Sequence, residues 1–326
     1  MEQRLSRGSV AAIAGASVLF AAAPFFAASW ILFILTLALA KFIAVLAVAL
    51  FLRAGLVSFG HALFYAVGAY AVGFAYKWLG LREVLLLVPL GVCLGAGAAA
   101  IIGLFIARYR GVFFAMLNLA VSMILYAILL KFYWVTGGTD GLGVGTPTLL
   151  GYLPPRAMLR MSYYYVTLAM AGAVIYAVYR FLASPLGFFL KALADNEIRI
   201  EYSGASARRV IYATYVLSGA LGGLAGVLAA FTVGHIVPEY AFWIQSGEFV
   251  FIALLGGYAS VPGPLLGAIA FEFIRTYASK YAPYAWQMTL GTIMLLIILF
   301  QPGGLWAIYE AVASRFGRAG EGVERA

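Results

Sequence analysis

The chain has 326 residues, of which 65% are hydrophobic and 10% are charged, whereas about 25% of the residues of an ordinary soluble domain are charged. A water-soluble fold cannot cover this much apolar surface, so the composition predicts an all-α integral membrane protein. The net charge of +9 comes from basic residues scattered between apolar runs, which is unlike the basic stripe with interleaved aromatics of a nucleic-acid-binding protein. The single cysteine, Cys93, excludes a disulfide framework and a cysteine metal cluster.

The apolar residues fall into runs that predict about ten membrane crossings, two of them short or broken, in a single transmembrane domain over residues 1–326. A crossing helix needs about 20 mostly apolar residues, so little of the chain is left for a soluble domain. A second run follows the first at once, without a convincing small-residue cleavage site, so we expect a retained span rather than a signal peptide. The runs cover 9–28, 30–52, 57–76, 84–106, 112–132, 162–182, 210–234, 247–256, 264–279 and 285–300.

Lys41 lies in the middle of the second run. An ionisable group at membrane depth is costly and marks function by default, so Lys41 is a pathway candidate. Snorkelling to the surface and pairing at a subunit interface are the alternatives. Glu248 and Glu272 are candidate partners, although sequence alone does not place them beside Lys41.

Glycine and polar residues interrupt the pattern at 55–61, before the third predicted span. Irregular backbone is tolerated within a membrane only where it is buried in protein or lines a cavity. We therefore expect this first break to lie at membrane depth, with Ser58, Gly60 and His61 as pathway candidates. A metal site at His61 is disfavoured because no Asp or Glu is nearby, and a packed, hydrogen-bonded imidazole is the better interpretation.

A second break, residues 256–264, occupies a comparable position in the other half of the chain, which suggests an internal pseudo-repeat. Paired glycine- and proline-interrupted segments in two halves are typical of a translocation site, so Gly256 and Gly257 are also pathway candidates. A cytoplasmic turn is the alternative, since Pro262 and Pro264 end helices.

Small residues four positions apart predict close helix packing, because they let backbones approach one another on one helix face. We assign them no chemistry. The pairs are Gly91 with Gly95, Gly219 with Gly223, and Gly222 with Gly226.

A glycine- and proline-rich loop spans residues 133–161 and includes Thr136, Gly137, Gly138 and Gly141. A string of this kind cannot be helical. Its tight turns let backbone N–H groups converge, which suits contact with a ligand or a docking protein, and a plain exposed loop is the alternative. The Lys-Ser/Thr ending of a phosphate loop is missing.

The most polar part of the chain is the loop 183–209, in which Asp195 to Ser203 favours a short helix ended by Gly204. A short amphipathic helix along a membrane surface is a docking element for a partner, with a solvated connector as the alternative. The Lys and Arg residues of the connections on this side outnumber those on the opposite side, which predicts that this loop and both termini are cytoplasmic. The loop 133–161 then lies outside.

Taken together, these motifs resemble the LivM-like permease subunits of bacterial ABC importers for branched-chain amino acids, over most of the chain. The order and spacing of the segments carry the resemblance. The segments are Gly55 to Ala62 leading to Gly68-Ala69-Tyr70, Thr136 to Gly138 with Gly141-Leu142, Asn196-Glu197 through Gly204 into Leu217 to Gly226, and the closing Gly256-Gly257, Gly263-Pro264, Gly267 and Gln301 to Leu305.

The resemblance implies a non-catalytic subunit, one of two related permeases that form the pathway, together with two cytoplasmic ATPases and a solute-binding protein at the outer face. It implies that ATP and Mg bind to the ATPases and that this chain holds no cofactor or metal. The loop 133–161 would face the binding protein. The loop 183–209 would couple to an ATPase through Asp195, Asn196, Glu197, Arg199, Glu201 and Gly204.

Two other functions remain as alternatives to an importer permease of the bacterial inner membrane. An ion- or proton-coupled carrier needs ionisable groups repeated along its spans. The spans of this chain contain mainly Lys41, Glu248 and Glu272, which is a sparse set. A membrane enzyme needs a nucleophile, a metal set or an acid–base pair, and no such spacing is present. Among importer solutes, the sequence does not distinguish branched-chain amino acids from urea, amides or aromatic acids.

Overall fold

The structure is a computed structural model that describes residues 20–155, 158–301 and 303–309. Most of the described chain is helical, and residues 20–26 form a helical stretch before the first long helix. The helices are α1 Ser29–Arg53, α2 His61–Leu79, α3 Val84–Ile106, α4 Gly111–Lys131, α5 Leu159–Leu182, α6 Pro185–Asp195, α7 Glu197–Tyr202, α8 Ala207–Val233, α9 Trp243–Gly256, α10 Gly263–Tyr281 and α11 Trp286–Phe300. A single α-helical turn lies at Tyr133–Thr136, and residues 304–309 are also helical.

Five of these helices, namely α1, α3, α4, α5 and α8, are long and apolar enough to cross a membrane. Shorter apolar helices lie at Trp243–Gly256 and Trp286–Ile297. The prediction of an all-α membrane protein is confirmed, and each predicted run from 30–52 onwards coincides with a helix. The run 9–28 lies outside the described residues up to residue 19, and so does Pro302 of the closing segment Gln301 to Leu305.

The main difference concerns the third run, which was expected to begin at 57 and instead begins as a helix at His61. Gly55 has φ +70°, a left-handed conformation that ends the preceding helix. The chain then stays non-helical as far as Gly60, and most of this connection is buried.

Helix α1 is the central element, buried along most of its length. It packs against α5, α8, α9 and α10, while α8 also packs against α2 and α3. The predicted glycine pairs lie in these contacts. Any side chain at Gly95 would meet the backbone of Gly219 and Gly223, and one at Gly226 would meet the backbone of Tyr65, so the predicted close packing is observed.

One end of the bundle, which we call the glycine-loop end, is covered by residues 137–155. Strand β1, Leu142–Gly143, pairs antiparallel with β2, His235–Ile236, and so ties this loop to the segment that follows α8. The expectation that the loop cannot be helical is wrong at two places, because Tyr133–Thr136 form one α-helical turn and Gly138–Asp140 form one 3-10 turn. Positive φ angles at Gly137 and Gly141 bound that turn and confine it to three residues.

The opposite end, which we call the charged end, carries α6, α7 and the connection between α3 and α4. Ser184 caps α6, with Pro185 as its first residue, and the Asn196 side chain accepts a hydrogen bond from the Arg199 N–H at the start of α7. The helix expected over Asp195–Ser203 therefore begins after its Asn196 cap and spans Glu197–Tyr202. Gly204, at φ +82°, follows it.

Candidate transport site

The first helix break reaches into the bundle from the charged end. The Ala62 N–H donates a hydrogen bond of 2.8 Å to Ser246 Oγ, and a methyl group at Gly60 would lie 2.7 Å from the carbonyl oxygen of Asn118. At 1.5 Å per residue, Asn118 lies about 10 Å inside the start of α4, and Ser246 about 15 Å from the end of α9. Helix α2 therefore begins inside the bundle rather than at its surface.

Polar side chains in this break are sealed without partners. Ser58 and His61 are fully buried, and neither Ser58 Oγ nor either His61 ring nitrogen has a hydrogen-bond partner among the described residues. The imidazole lies 5.5 Å from the Phe51 ring and 5.9 Å from the Phe64 ring, measured between centroids. The expectation of a packed imidazole fits these neighbours, but its expected hydrogen bond is absent. Buried polar groups normally have hydrogen-bond partners, so Ser58 and His61 are exceptions among the buried side chains of this break.

A second inward-reaching segment, which the sequence did not reveal, enters from the glycine-loop end. Residues 234–242 connect α8 to α9, and the carbonyl of Ala241 accepts a hydrogen bond of 2.8 Å from Ser122 Oγ, near the middle of α4. Tyr240 packs on Tyr65 at 5.2 Å between ring centroids. Its only signals in the sequence are Gly234 and Pro238, which are common at ordinary helix ends.

The two inward segments place the first turns of α2 and α9 side by side. The hydrogen bond from Ala62 to Ser246 joins them, and the two helices run in opposite directions from that point. Helix N-termini carry partial positive charge, and in transporters such half-helix ends point at anionic parts of a solute. We call this place, with Ser58, Gly60 and His61, the junction.

Lys41 lies in a buried ionic network at the same depth. It is the middle residue of the 25-residue α1, and its Nζ lies 2.6 Å from Glu272 Oε1 and 3.3 Å from Glu248 Oε2. Arg275 extends the network, with Nη1 3.6 Å from Glu248 Oε2. Both candidate partners of Lys41 are therefore in contact with it. Two cations against two carboxylates leave the network without net charge.

The first break also touches the charged end directly. A side chain at Gly55 would contact Ala194 of α6 at 3.5 to 3.6 Å, and Arg110 forms a two-pronged ion pair with Glu197, with its Nη2 2.7 Å from Oε1. A cavity of about 180 Å³ lies between the first break and the charged loop 183–209. It is lined by Ala54, Gly55, Leu56, Arg110, Leu193, Ala194, Glu197 and Ile211.

The residues predicted to couple to an ATPase divide into two groups. Glu197 faces inward to Arg110, whereas the others are exposed at the charged end; they are Asp195, Asn196, Arg199, Glu201 and Gly204. Ile198 and Tyr202, which the sequence did not predict as site residues, are 64% and 89% exposed on α7. Their spacing of four puts them on one helix face, and that spacing was the available signal.

Gly256 and Gly257 lie away from the junction, at the charged end. A side chain at Gly257 would meet the backbone of Gly303, and the carbonyl of the neighbouring Tyr258 accepts a hydrogen bond of 2.8 Å from Arg53 Nε. The segment 256–264 thus forms the turn between α9 and α10. A pathway role for Gly256 and Gly257 stays a prediction.

In the glycine loop, the predicted residues hold the fold of the loop itself. Thr136 and Gly138 are buried, and Thr136 Oγ1 donates to the carbonyl of Leu129 at 2.6 Å. Gly141 packs on the carbonyl of Ile236. The surface of the loop is formed instead by neighbours such as Trp134, which is 90% exposed. Contact with a binding protein stays a prediction.

Comparison with known proteins places these features in context. The family model described as branched-chain amino acid transport system / permease component matches residues 30–299. The branched-chain amino acid permease LivM of Escherichia coli K12 is 29% identical over 274 residues, which cover 77% of this chain and 64% of that relative. A probable LivM of Methanocaldococcus jannaschii is 26% identical over 241 residues, or 70% of this chain and 69% of the relative.

The high-affinity branched-chain amino acid permease LivH of E. coli K12 is 25% identical over 173 residues, or 53% of this chain and 52% of that protein. No solved structure gives a significant match. The chain thus spans less than two thirds of the length of the E. coli LivM relative. The family match nevertheless covers most of the chain, including the junction, the ionic network and the charged loop. The chain therefore belongs to the family of permease components of branched-chain amino acid transport systems.

Proposed function

We propose that this chain is the membrane permease subunit of an ATP-driven importer for branched-chain amino acids or a similar small polar solute. It works with a second, related permease, two cytoplasmic ATPases and a solute-binding protein, in the inner membrane of a bacterium. ATP and Mg bind to the ATPases, and this chain is non-catalytic. The similarity to both LivM and LivH, each described as a permease of such a system, supports a paired permease.

The observation that carries this proposal is the position of the first break between two functional parts. On one side, Gly55 lies against Ala194 of the charged loop, and on the other, Ala62 is bonded to Ser246 at the junction. A movement of the charged loop, driven by an ATPase, has a direct route to the buried break. The unpartnered Ser58 and His61 gain partners when the break opens and water or solute enters.

We infer ten crossings with both termini and the loop 183–209 in the cytoplasm, and the glycine loop 133–161 facing the binding protein. Helices α2 and α9 are corresponding parts of an inverted pseudo-repeat, because each begins inside the bundle after an irregular segment that enters from the opposite face. The break at 234–242, rather than 256–264, is then the counterpart of 54–60.

Reconstitution tests the proposal. Proteoliposomes that contain the chain with its partner permease, ATPases and binding protein are expected to accumulate radiolabelled leucine only when ATP is enclosed on the ATPase side. A complex with an ATPase inactivated in its own ATP site is the control. Leucine uptake by the chain alone, driven by an imposed proton or sodium gradient, would show a secondary carrier instead.

A further inference from the structure

Part of the ionic network is open to the surroundings of the bundle. Arg275 is 35% exposed and Glu248 is 14% exposed, and Gln245, which donates to Glu248 Oε2 at 3.1 Å, is half-buried beside them. We call these three residues of α9 and α10 the window. The rest of the network, Lys41 and Glu272, is sealed behind it.

The depth of the window determines what can cover it. Glu272 is the middle residue of α10, and Arg275 follows one turn later, about 9 Å from the end of that helix. A charge at this depth is costly against lipid tails and is found facing water or protein. We therefore expect the exposed side of Arg275 to face an aqueous pathway or another polar surface rather than lipid tails.

Both a positive and a negative group of the window, Arg275 and Glu248, are able to bind a further charged group. The guanidinium of Arg275 stacks near Trp286 at 5.6 Å and contacts Glu248 only at 3.6 Å, which is long for a hydrogen bond. It makes no hydrogen bond to a side chain or backbone group in the described part of the chain, so its planar fork remains available for a carboxylate. Lys41 already neutralises Glu272, which leaves Glu248 shared between its neighbours.

We propose that the window binds the zwitterionic head of an α-amino acid in the transport pathway, with the solute carboxylate on Arg275 and its ammonium group on Glu248. Gln245 orients Glu248. The proposal rests on the proposed function and adds to it a class of substrate. A neutral solute such as urea carries no charged groups to pair with Arg275 Nη1 and Glu248 Oε2, which lie 3.6 Å apart.

Cysteine labelling tests the aqueous position of the window. The chain's single cysteine is Cys93, so a Cys93→Ala background isolates an added thiol in this subunit. In the reconstituted complex, Gln245→Cys is expected to react with a charged, membrane-impermeant thiosulfonate at least about tenfold faster than Phe251→Cys, because a thiol in lipid is not ionised. Phe251 is the matched control, since it is exposed on the same helix at 47%.

Protection then tests the ligand. Leucine is expected to slow the reaction of Gln245→Cys, whereas 4-methylpentanoate, which has the same side chain and no ammonium group, is not. Equal, slow labelling at both positions would show that lipid or the second permease covers the window. Equal protection by both acids would show an anion site only. Either result overturns the proposal.

Uptake kinetics give an independent measurement. Arg275→Gln is expected to raise the KM for leucine roughly tenfold to a hundredfold, as the loss of a charge-assisted contact does, while ATP hydrolysis by the assembled complex continues. Arg275→Lys should recover part of the loss, and Tyr277→Phe, on the exposed face of α10, should leave KM unchanged. Unchanged KM in Arg275→Gln refutes the window alone, whereas absent ATP-dependent uptake in the wild-type complex refutes the importer.

Discussion

Lys41 and Glu272 are each the middle residue of a helix, and their charged atoms lie 2.6 Å apart in the interior of the bundle. Both side chains are almost completely buried, at 3% and 4% exposure. A buried ion pair gains little over an apolar pair, but a single charge left without its partner is strongly destabilising. The network therefore fixes the registration of α1 against α9 and α10.

We predict that Lys41→Met lowers the stability of the protein by about 3–5 kcal/mol, because it leaves Glu272 as an uncompensated buried charge. The measurement is the thermal unfolding midpoint of purified protein in one detergent. The double variant Lys41→Met with Glu272→Gln should recover most of the loss. A single variant as stable as the wild type would show that Lys41 and Glu272 do not interact in the membrane protein.

At the residue scale, the sequence showed which side chains are charged within apolar runs but not which of them are in contact. Lys41 stood out because a cation in an apolar run is costly, and the two carboxylates were the available partners. Their contact depends on how three helices cross, over a separation of 207 residues between Lys41 and Glu248, which no local pattern encodes. Arg275 was not predicted as a site residue, because a basic residue near a helix end is ordinarily explained by the membrane surface.

At the scale of elements, α3 and α8 approach so closely that only glycine fits at several positions. Gly95 faces the backbone of Gly219 and Gly223, whereas Gly97, two residues later on α3, has no neighbour within 4 Å. Small residues of this kind replace the hydrophobic effect as the source of helix association in a membrane. The two glycines offer a matched pair on one helix.

We predict that Gly95→Ala destabilises the protein by about 1–3 kcal/mol, because the added methyl group forces α3 away from α8. Gly97→Ala should leave stability unchanged or slightly improved, since alanine is the better helix former. Thermal unfolding of the two variants, side by side, checks this. If both variants unfold at the wild-type temperature, the two helices are free to separate without cost.

The helices, and the glycines at which they pack closely, were largely predictable, because long apolar runs and glycine spacings are local signals. Of the two irregular segments that reach into the bundle, only one was predicted to do so. The break at 55–61 was expected inside the membrane, and its Ser58, Gly60 and His61 are buried, but the second inward-reaching segment, residues 234–242, looked like an ordinary end of α8. The denser glycines at 256–264 drew attention instead, and they serve the close turn between α9 and α10.

At the scale of the whole molecule, the charged end and the junction are linked by a short connection of protein. An ideal Cβ at Gly55 lies 3.6 Å from the Cβ of Ala194, inside the range of about 3.5–4.5 Å found in disulfides. We predict that Gly55→Cys with Ala194→Cys, in the Cys93→Ala background, cross-links under oxidation and blocks ATP-dependent uptake, and that reduction restores it.

Each single cysteine variant is the control for strain at Gly55, whose φ of +70° disfavours any side chain. Uptake that continues at the wild-type rate in the oxidised, fully cross-linked complex would show that the loop and the break move as one body. The coupling proposed for α6 and α7 would then have to act through Arg110 and α4.

The two irregular segments, which enter the bundle from opposite ends, contact α4 at nearly the same depth. Gly60 reaches α4 at Asn118, and Ala241 reaches it at Ser122, one helical turn further along. Only about 6 Å of α4 separates these contacts along the helix axis. In the proposed importer, contacts this close together mean that displacements of only a few ångströms at Gly60 and Ala241 would switch access to the solute from one face to the other, while the long helices stay in place.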